Sequence, residues 1–373
     1  MSFNGGGITM VDLIGPQAAA LRPAEESFVV VNGLAVKTWI YRSSGSPNLP
    51  LASAPPIVAV HGGPAFTHNY MLPLKLITYK YGQTVIFYDQ AGCGKSSRVQ
   101  GDVKEEAPWL LTIEYYVQEL DAVLRHYNLH ESKYFIYGSS WGTVIAQEFM
   151  VHKSSYESSQ TLAGLMLDGC LSDAQAYIRA QWEDRISTLP TVMQRIMTNL
   201  EKTEQYEHPM YAEIESTLGK MFTCRVVPRP DCFTASLEGM DEKLYRLMQG
   251  YSEFTIGGVL KDWSVLNKLH DAITVPTLVL AGEYDTMTEE CSRLTVNSCK
   301  KDMAKLVIIP RASHCKLIDE PQICVEEVKK FVEATENYKT ENISAFPPRP
   351  RTIIGWPQRP TGHQRRSQAS STL

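Results

Sequence analysis

No apolar run in the chain approaches the ~18–20 residues that a bilayer requires, so no membrane span is expected. Basic charge is not in excess either. Lys and Arg number 36 against 41 Asp and Glu, a net charge of −5, which leaves no electrostatic footprint for nucleic acid. None of the 8 cysteines forms a C-x-x-C pair, so neither a zinc ribbon nor a thioredoxin motif is supported, and neither metal nor cofactor is expected. Residues 1–26 have no basic segment ahead of a continuous apolar one, and they read as a partly ordered leader rather than a signal peptide. With the cysteines read as reduced core thiols, this points to a cytoplasmic protein. The run GCGKSS suggests a phosphate-cradling loop, but such a loop needs glycine at position 89, and Asp89 stands there.

With 373 residues, 43% of them hydrophobic, the chain can bury a full core. Two β-rich runs flank Asn32-Gly33, a strong hairpin signal. Short apolar runs then alternate with helical patterns. Residues 57–60 end at a Gly-Gly-Pro turn, the run QTVIFYDQ ends in glycines, and residues 112–129 carry Ile113, Val117, Leu120, Val123 and Leu124 at helical spacing. This rhythm predicts an α/β fold, a mostly parallel central sheet with helices on both faces. Between 172 and 268 helical patterns take over without a clear strand, and the strand rhythm resumes with VPTLVLAGEYD and AKLVIIPRASH. The expected organisation is therefore a core in two parts, 27–171 and 269–338, with 172–268 inserted as a helical cap over the carboxyl ends of the strands. The tail, 339–373, has five arginines, five prolines and no acid after Glu341, and is expected to stay outside the core as a disordered, solvated segment. A partner or membrane-surface contact is the alternative. Its terminal Ser-Thr-Leu lacks the basic residue of a peroxisomal signal.

Gly138-Ser139-Ser140-Trp141-Gly142 fits G-x-S-x-G between a strand-like KYFIY and a helix-like WGTVIAQEFMVHK. That is the setting of a nucleophile elbow, with Ser140 at its centre. A nucleophilic serine needs a base, and the base needs an orienting carboxylate. Asp285 and His314 each follow a late predicted strand, in the order Ser, Asp, His, and are the expected partners. Asp168, Asp319 and Glu283 are rival carboxylates. Oxyanion donors are expected from the backbone of Trp141 and from the loop His61-Gly62-Gly63-Pro64, through Gly62 and Gly63. Trp141 should also line the substrate pocket. The cap aromatics Tyr177, Trp182, Tyr245, Tyr251 and Trp263 are expected to serve mainly the core.

Together, His61-Gly62-Gly63-Pro64, Asp89-Gln90-Ala91-Gly92-Cys93-Gly94-Lys95-Ser96 and the elbow resemble the proline iminopeptidase family of α/β-hydrolases, and the likeness continues through EFTIGGVLKDW, VPTLVLAGEYD and ASHCKLIDEP. The resemblance implies the α/β-hydrolase fold and a serine hydrolase that cleaves small aminoacyl or peptide substrates through an acyl-enzyme. It also implies that Glu253 holds the substrate ammonium. A specialised amide or ester hydrolase in secondary metabolism, and a non-catalytic scaffold, are the alternatives. Two positions depart from the family pattern: Ala65 replaces a glycine after the His-Gly-Gly-Pro loop, and Thr286 stands where a second acidic residue often follows the aspartate. The first implies a slightly altered oxyanion loop, the second a weaker hold on an ammonium. Sequence leaves the oligomeric state open.

Overall fold

The computed structural model describes residues 7–42 and 54–337. The first six residues and the Pro/Arg-rich tail, 339–373, lie outside the described residues. Among the described residues no helix is long and apolar enough to cross a membrane.

Eight strands form one sheet in the order β1-β2-β4-β3-β5-β6-β7-β8. They are β1 Glu25–Val31, β2 Leu34–Tyr41, β3 Ile57–Val60, β4 Val85–Tyr88, β5 Tyr134–Ser139, β6 Leu162–Asp168, β7 Thr277–Gly282 and β8 Ala304–Ile309. β1 and β2 make the predicted antiparallel hairpin, with Asn32 and Gly33 both at positive φ, as a tight two-residue turn demands. β2 meets β4 antiparallel, and the other pairings are parallel. The central strands are uniformly buried, which is why they read as unbroken apolar runs rather than alternating ones.

Alternation reappears in which layer each residue enters. Val58, Val60, Ile86, Tyr88 and Ile136 pack into one core layer, while Ile57, Ala59, Val85, Phe87, Phe135 and Tyr137 pack into the other. The helix Ile113–His126 covers the first layer with Val117, Leu120, Val123 and Leu124 and is capped by the Thr112 side chain. Ahead of the sheet, residues 10–14 and 16–19 are helical, Ile14 and Ala18 are buried, and Lys75 Nζ donates to the carbonyls of Ala19 and Leu21. β1 begins two residues before the predicted edge of the core.

Between β6 and β7 the chain is helical over 174–202, 209–223 and 231–248, apart from breaks at 189–190 and 240–241, with its own apolar cluster of Ile186, Met197, Leu200, Tyr211, Ile214, Leu218, Phe222 and Phe254. The loops that leave the carboxyl ends of β3, β5, β6, β7 and β8 carry His61, Ser140, Gly169, Asp285 and His314.

Candidate active site

Ser140 ends β5 and precedes the helix Trp141–Val151, with φ 54 and ψ −122. A non-glycine residue in that region costs about 1–3 kcal/mol, so the surrounding structure must hold it there. It does so by close packing. The Ser140 N–H donates to Asp168 O at 2.8 Å, and a Cβ on Gly142 would stand 2.0 Å from Val60 O. Only glycine lets the elbow helix approach β3 so closely.

His314 Nδ1 donates to Asp285 Oδ1 at 2.7 Å. This places the Nδ1 proton on the carboxylate side and leaves Nε2 free to accept. Nε2 is buried and has no hydrogen-bond partner among the described residues. Ser140 and His314 line the same cavity. Asp285 also accepts from the N–H groups of Gly282 and Met287 and from Lys316 Nζ. Burial alone would raise its carboxyl; Lys316 and then His314 hold it well below the usual carboxylate range. Burial pulls His314 down, but Asp285 outweighs this and lifts it above its ordinary value. The rival carboxylates are engaged elsewhere: Asp168 with Tyr137 and Lys316, Asp319 with Ser313, and Glu283 with the Arg311 N–H.

The two glycines of the His-Gly-Gly-Pro loop part company. The Gly62 N–H already donates to Tyr70 Oη at 2.8 Å, whereas the N–H groups of Gly63 and Trp141 have no hydrogen-bond partner among the described residues. Gly62 instead provides space, since a Cβ there would lie 2.7 Å from Ser140 Cβ. His61 fixes the loop as a neutral imidazole. Its Nε2 accepts from the Gln90 N–H, its Nδ1 donates to Gly62 O, and burial holds its pKa down to about 4. Gln90 ties this loop to the elbow, donating to His61 O and accepting from Trp141 Nε1. Ala65 keeps φ 58, so the left-handed turn that favours glycine is retained at a cost of ~1–2 kcal/mol.

Two chambers meet at Ser140, Gly63 and Glu253. The smaller, about 20 Å³, is walled by Trp141, Leu171, Tyr177, Ile256, Trp263 and Met287, among others. The larger, about 650 Å³, holds His314 together with Glu215, Tyr245, Tyr251 and a largely apolar wall. Four of the five cap aromatics expected to serve mainly the core thus line the chambers; Trp182 alone packs only into the cap cluster. The interface between cap and sheet is hollow, so a side chain can be buried there and still face a cavity.

Thr286 lines neither chamber. The second carboxylate beside Glu253 is Glu215, from the cap helix Pro209–Leu218, which sequence reasoning missed. Burial lifts both acids, Glu215 to about 7; Glu253 adds to the rise at Glu215, while at Glu253 His314 opposes the rise and Asp285 adds to it. Glu215 accepts from Ser252 Oγ and Glu253 from Tyr245 Oη, and neither is in an ion pair among the described residues. Cys315, beside His314, is a buried thiol. Its hydrogen bond with Cys224 and its burial push the thiol well above the ordinary range.

The sheet, the elbow and the loops at its carboxyl edge define an α/β hydrolase, and residues 55–321 match the family model described as alpha/beta hydrolase fold. A proline iminopeptidase of Saccharolobus solfataricus is 30% identical over 310 residues, covering 83% of this chain and 92% of that protein. One from Thermoplasma volcanium is 31% identical, covering 74% and 88%. The crystal structure of proline iminopeptidase from Mycobacterium smegmatis matches with a TM-score of 0.73 at 26% identity, covering 84% of this chain and 99% of that one. The chain belongs to the α/β-hydrolase fold family and, within it, to the proline iminopeptidase group of hydrolytic enzymes.

Proposed function

We propose that the protein is a serine aminopeptidase that removes a small apolar residue from the free amino terminus of an amide. The reading rests above all on the pair Glu215 and Glu253, two half-buried carboxylates without an ion pair among the described residues, in the cavity that also contains Ser140 and His314. A substrate ammonium between them would supply the missing counter-charge, and charge-assisted bonds of that kind contribute about 1.5–3 kcal/mol each.

In this reading Ser140 Oγ attacks the carbonyl carbon while His314 Nε2 takes its proton. Asp285 holds the imidazole and stabilises its charged form. The N–H groups of Gly63 and Trp141 receive the oxyanion. The C–N bond breaks as His314 returns the proton to the leaving nitrogen, and water then hydrolyses the ester on Ser140. The acyl side chain enters the smaller chamber, whose apolar walls suit alanine or proline. Residues 172–268 act as the cap that carries both glutamates. Eight unpaired, buried cysteines suit a reducing compartment, which supports a cytoplasmic location.

Alanyl and prolyl p-nitroanilides test this directly. Both should be cleaved, their N-acetylated counterparts should not, and Ser140→Ala should abolish turnover and fluorophosphonate labelling alike. Equal rates with free and acetylated amines would refute the aminopeptidase assignment.

A further inference from the structure

We infer that the larger chamber is a leaving-group site for a bulky, mainly apolar amine, so that the substrate is a small amino acid capping such an amine rather than the end of a short free peptide. This rests on the aminopeptidase reading above and names its substrate class.

The asymmetry of the two chambers is the starting point. Both reach Ser140, so a bound acyl group and its leaving group must divide between them. The smaller, at about 20 Å³, is by far the tighter of the two and suits only a small side chain. The larger, at about 650 Å³, lies in the range that holds a whole drug-sized molecule. A single residue beyond the scissile bond would leave most of it to solvent.

The lining indicates what fills it. Phe66, Phe233 and Met240 form an apolar wall inside. Val227, Leu237 and Tyr251 line the same cavity and are 61%, 39% and 48% exposed, which marks where it opens to water. Large apolar side chains scattered singly over a surface are ordinary. Three around one cavity mouth, continuous with an apolar interior, form a patch of the kind that marks a binding site. Two cations also border the chamber, Lys220 and Arg229, and could receive the carboxylate of a short peptide. Arg229, however, stacks its guanidinium over the Phe233 ring at 4.8 Å, and Lys220 is exposed. Both cations can thus stay solvated or stacked while an apolar group occupies the wall. On departure the amine takes the proton that His314 delivers and leaves through this mouth.

Alanyl n-alkylamides from methyl to hexyl test the inference, because alkyl amines share nearly one basicity and the series changes only what the chamber contacts. kcat/KM should rise at least tenfold across the series, against a ceiling of about fourfold for each fully buried methylene. Val227→Asp and Leu237→Asp, at exposed positions where folding is not at stake, should each cut the hexyl-to-methyl ratio at least threefold. A flat or falling series with the methylamide still cleaved would overturn this inference and leave the aminopeptidase reading standing. So would a preference for alanyl-6-aminohexanoate, which ends in a carboxylate, over the hexylamide. Failure to cleave any alanyl amide would overturn both.

Discussion

Lys316 stands at the centre of the candidate site without touching its cavity. It is fully buried, with Nζ 2.9 Å from Asp168 Oδ1, 2.5 Å from Asp285 Oδ2 and 3.0 Å from His314 O. At an effective dielectric near 20, a unit-charge pair about 3 Å apart attracts by roughly 5–6 kcal/mol, so the two contacts give about 11 in gross terms. Desolvating each ion takes back several kcal/mol. Removing the cation alone, as in Lys316→Met, leaves two buried carboxylates facing one another without it, and such a break costs about 3–5 kcal/mol. In a chain of this length that is roughly 4–7 °C in Tm. Asp168→Asn in the Lys316→Met background should recover part of the loss, because one of the stranded charges is then gone. The pH dependence carries a second signature. Asp285 is depressed in the folded protein, so it contributes stability above the ordinary carboxylate pKa that is lost as pH falls through its lower folded value. Without Lys316 that loss should begin at higher pH. His314 is raised, and it must be neutral to act as a base, so activity should rise with pH through a value above the ordinary imidazole pKa. Lys316 opposes the imidazolium, so the acid limb of kcat/KM should move upward in Lys316→Met. Thermal melts and pH–rate profiles of the three proteins measure both effects. A Tm within about 1 °C of the parent, together with an unmoved acid limb, would refute the electrostatic role.

Glu253→Gln and Glu215→Gln should each lower kcat/KM for alanyl amides by about 10–100-fold, matching the loss of one charge-assisted contact. Hydrolysis of an uncharged acyl ester should hardly change, and parallel losses on both substrates would show that the glutamates do not read the ammonium. Gly142→Ala sets a Cβ 2.0 Å from Val60 O and should destabilise the fold by more than 2 kcal/mol, on the order of other overpacked cores, as followed by chemical denaturation.

The parts of this molecule visible in its sequence are those whose signal is local. Unbroken apolar runs mark strands buried on both faces, and Asn32-Gly33 marks the hairpin because both residues tolerate the left-handed turn. Ser140, Asp285 and His314 could be singled out because each follows its own strand, and parallel strands deliver their carboxyl ends to one edge. Glu215 carried no such mark. It sits in a glutamate-rich segment with Glu201, Glu204, Glu207 and Glu213, and only the packing of its helix turns it toward Glu253. Lys316 reads as a surface lysine, although its place two residues after His314 and before Leu317 and Ile318 was a usable hint of burial. Nothing local separates Gly62 from Gly63. That distinction is made by Tyr70, whose hydroxyl takes up one N–H and leaves the other.

The helical segment between β6 and β7 does more than line the larger chamber. Its segment Gly219–Thr223 contributes Gly219, Lys220 and Thr223 to the wall of the larger chamber. The same segment accepts the His314 N–H at Phe222 O, 2.9 Å, and the Cys315 N–H at Thr223 O, 2.8 Å. The wall of the larger chamber and the backbone that positions His314 are therefore one piece of chain. A leaving group that displaces this segment also displaces His314, and a misplacement of about 1 Å at a reacting group can cost 10²-fold in rate. Substitutions in 219–223 should accordingly change kcat together with KM, whereas substitutions at Val227 or Leu237, which line the chamber without holding His314, should act on substrate preference alone. His314 leaves the sheet edge, but its backbone is held by the helical segment 219–223.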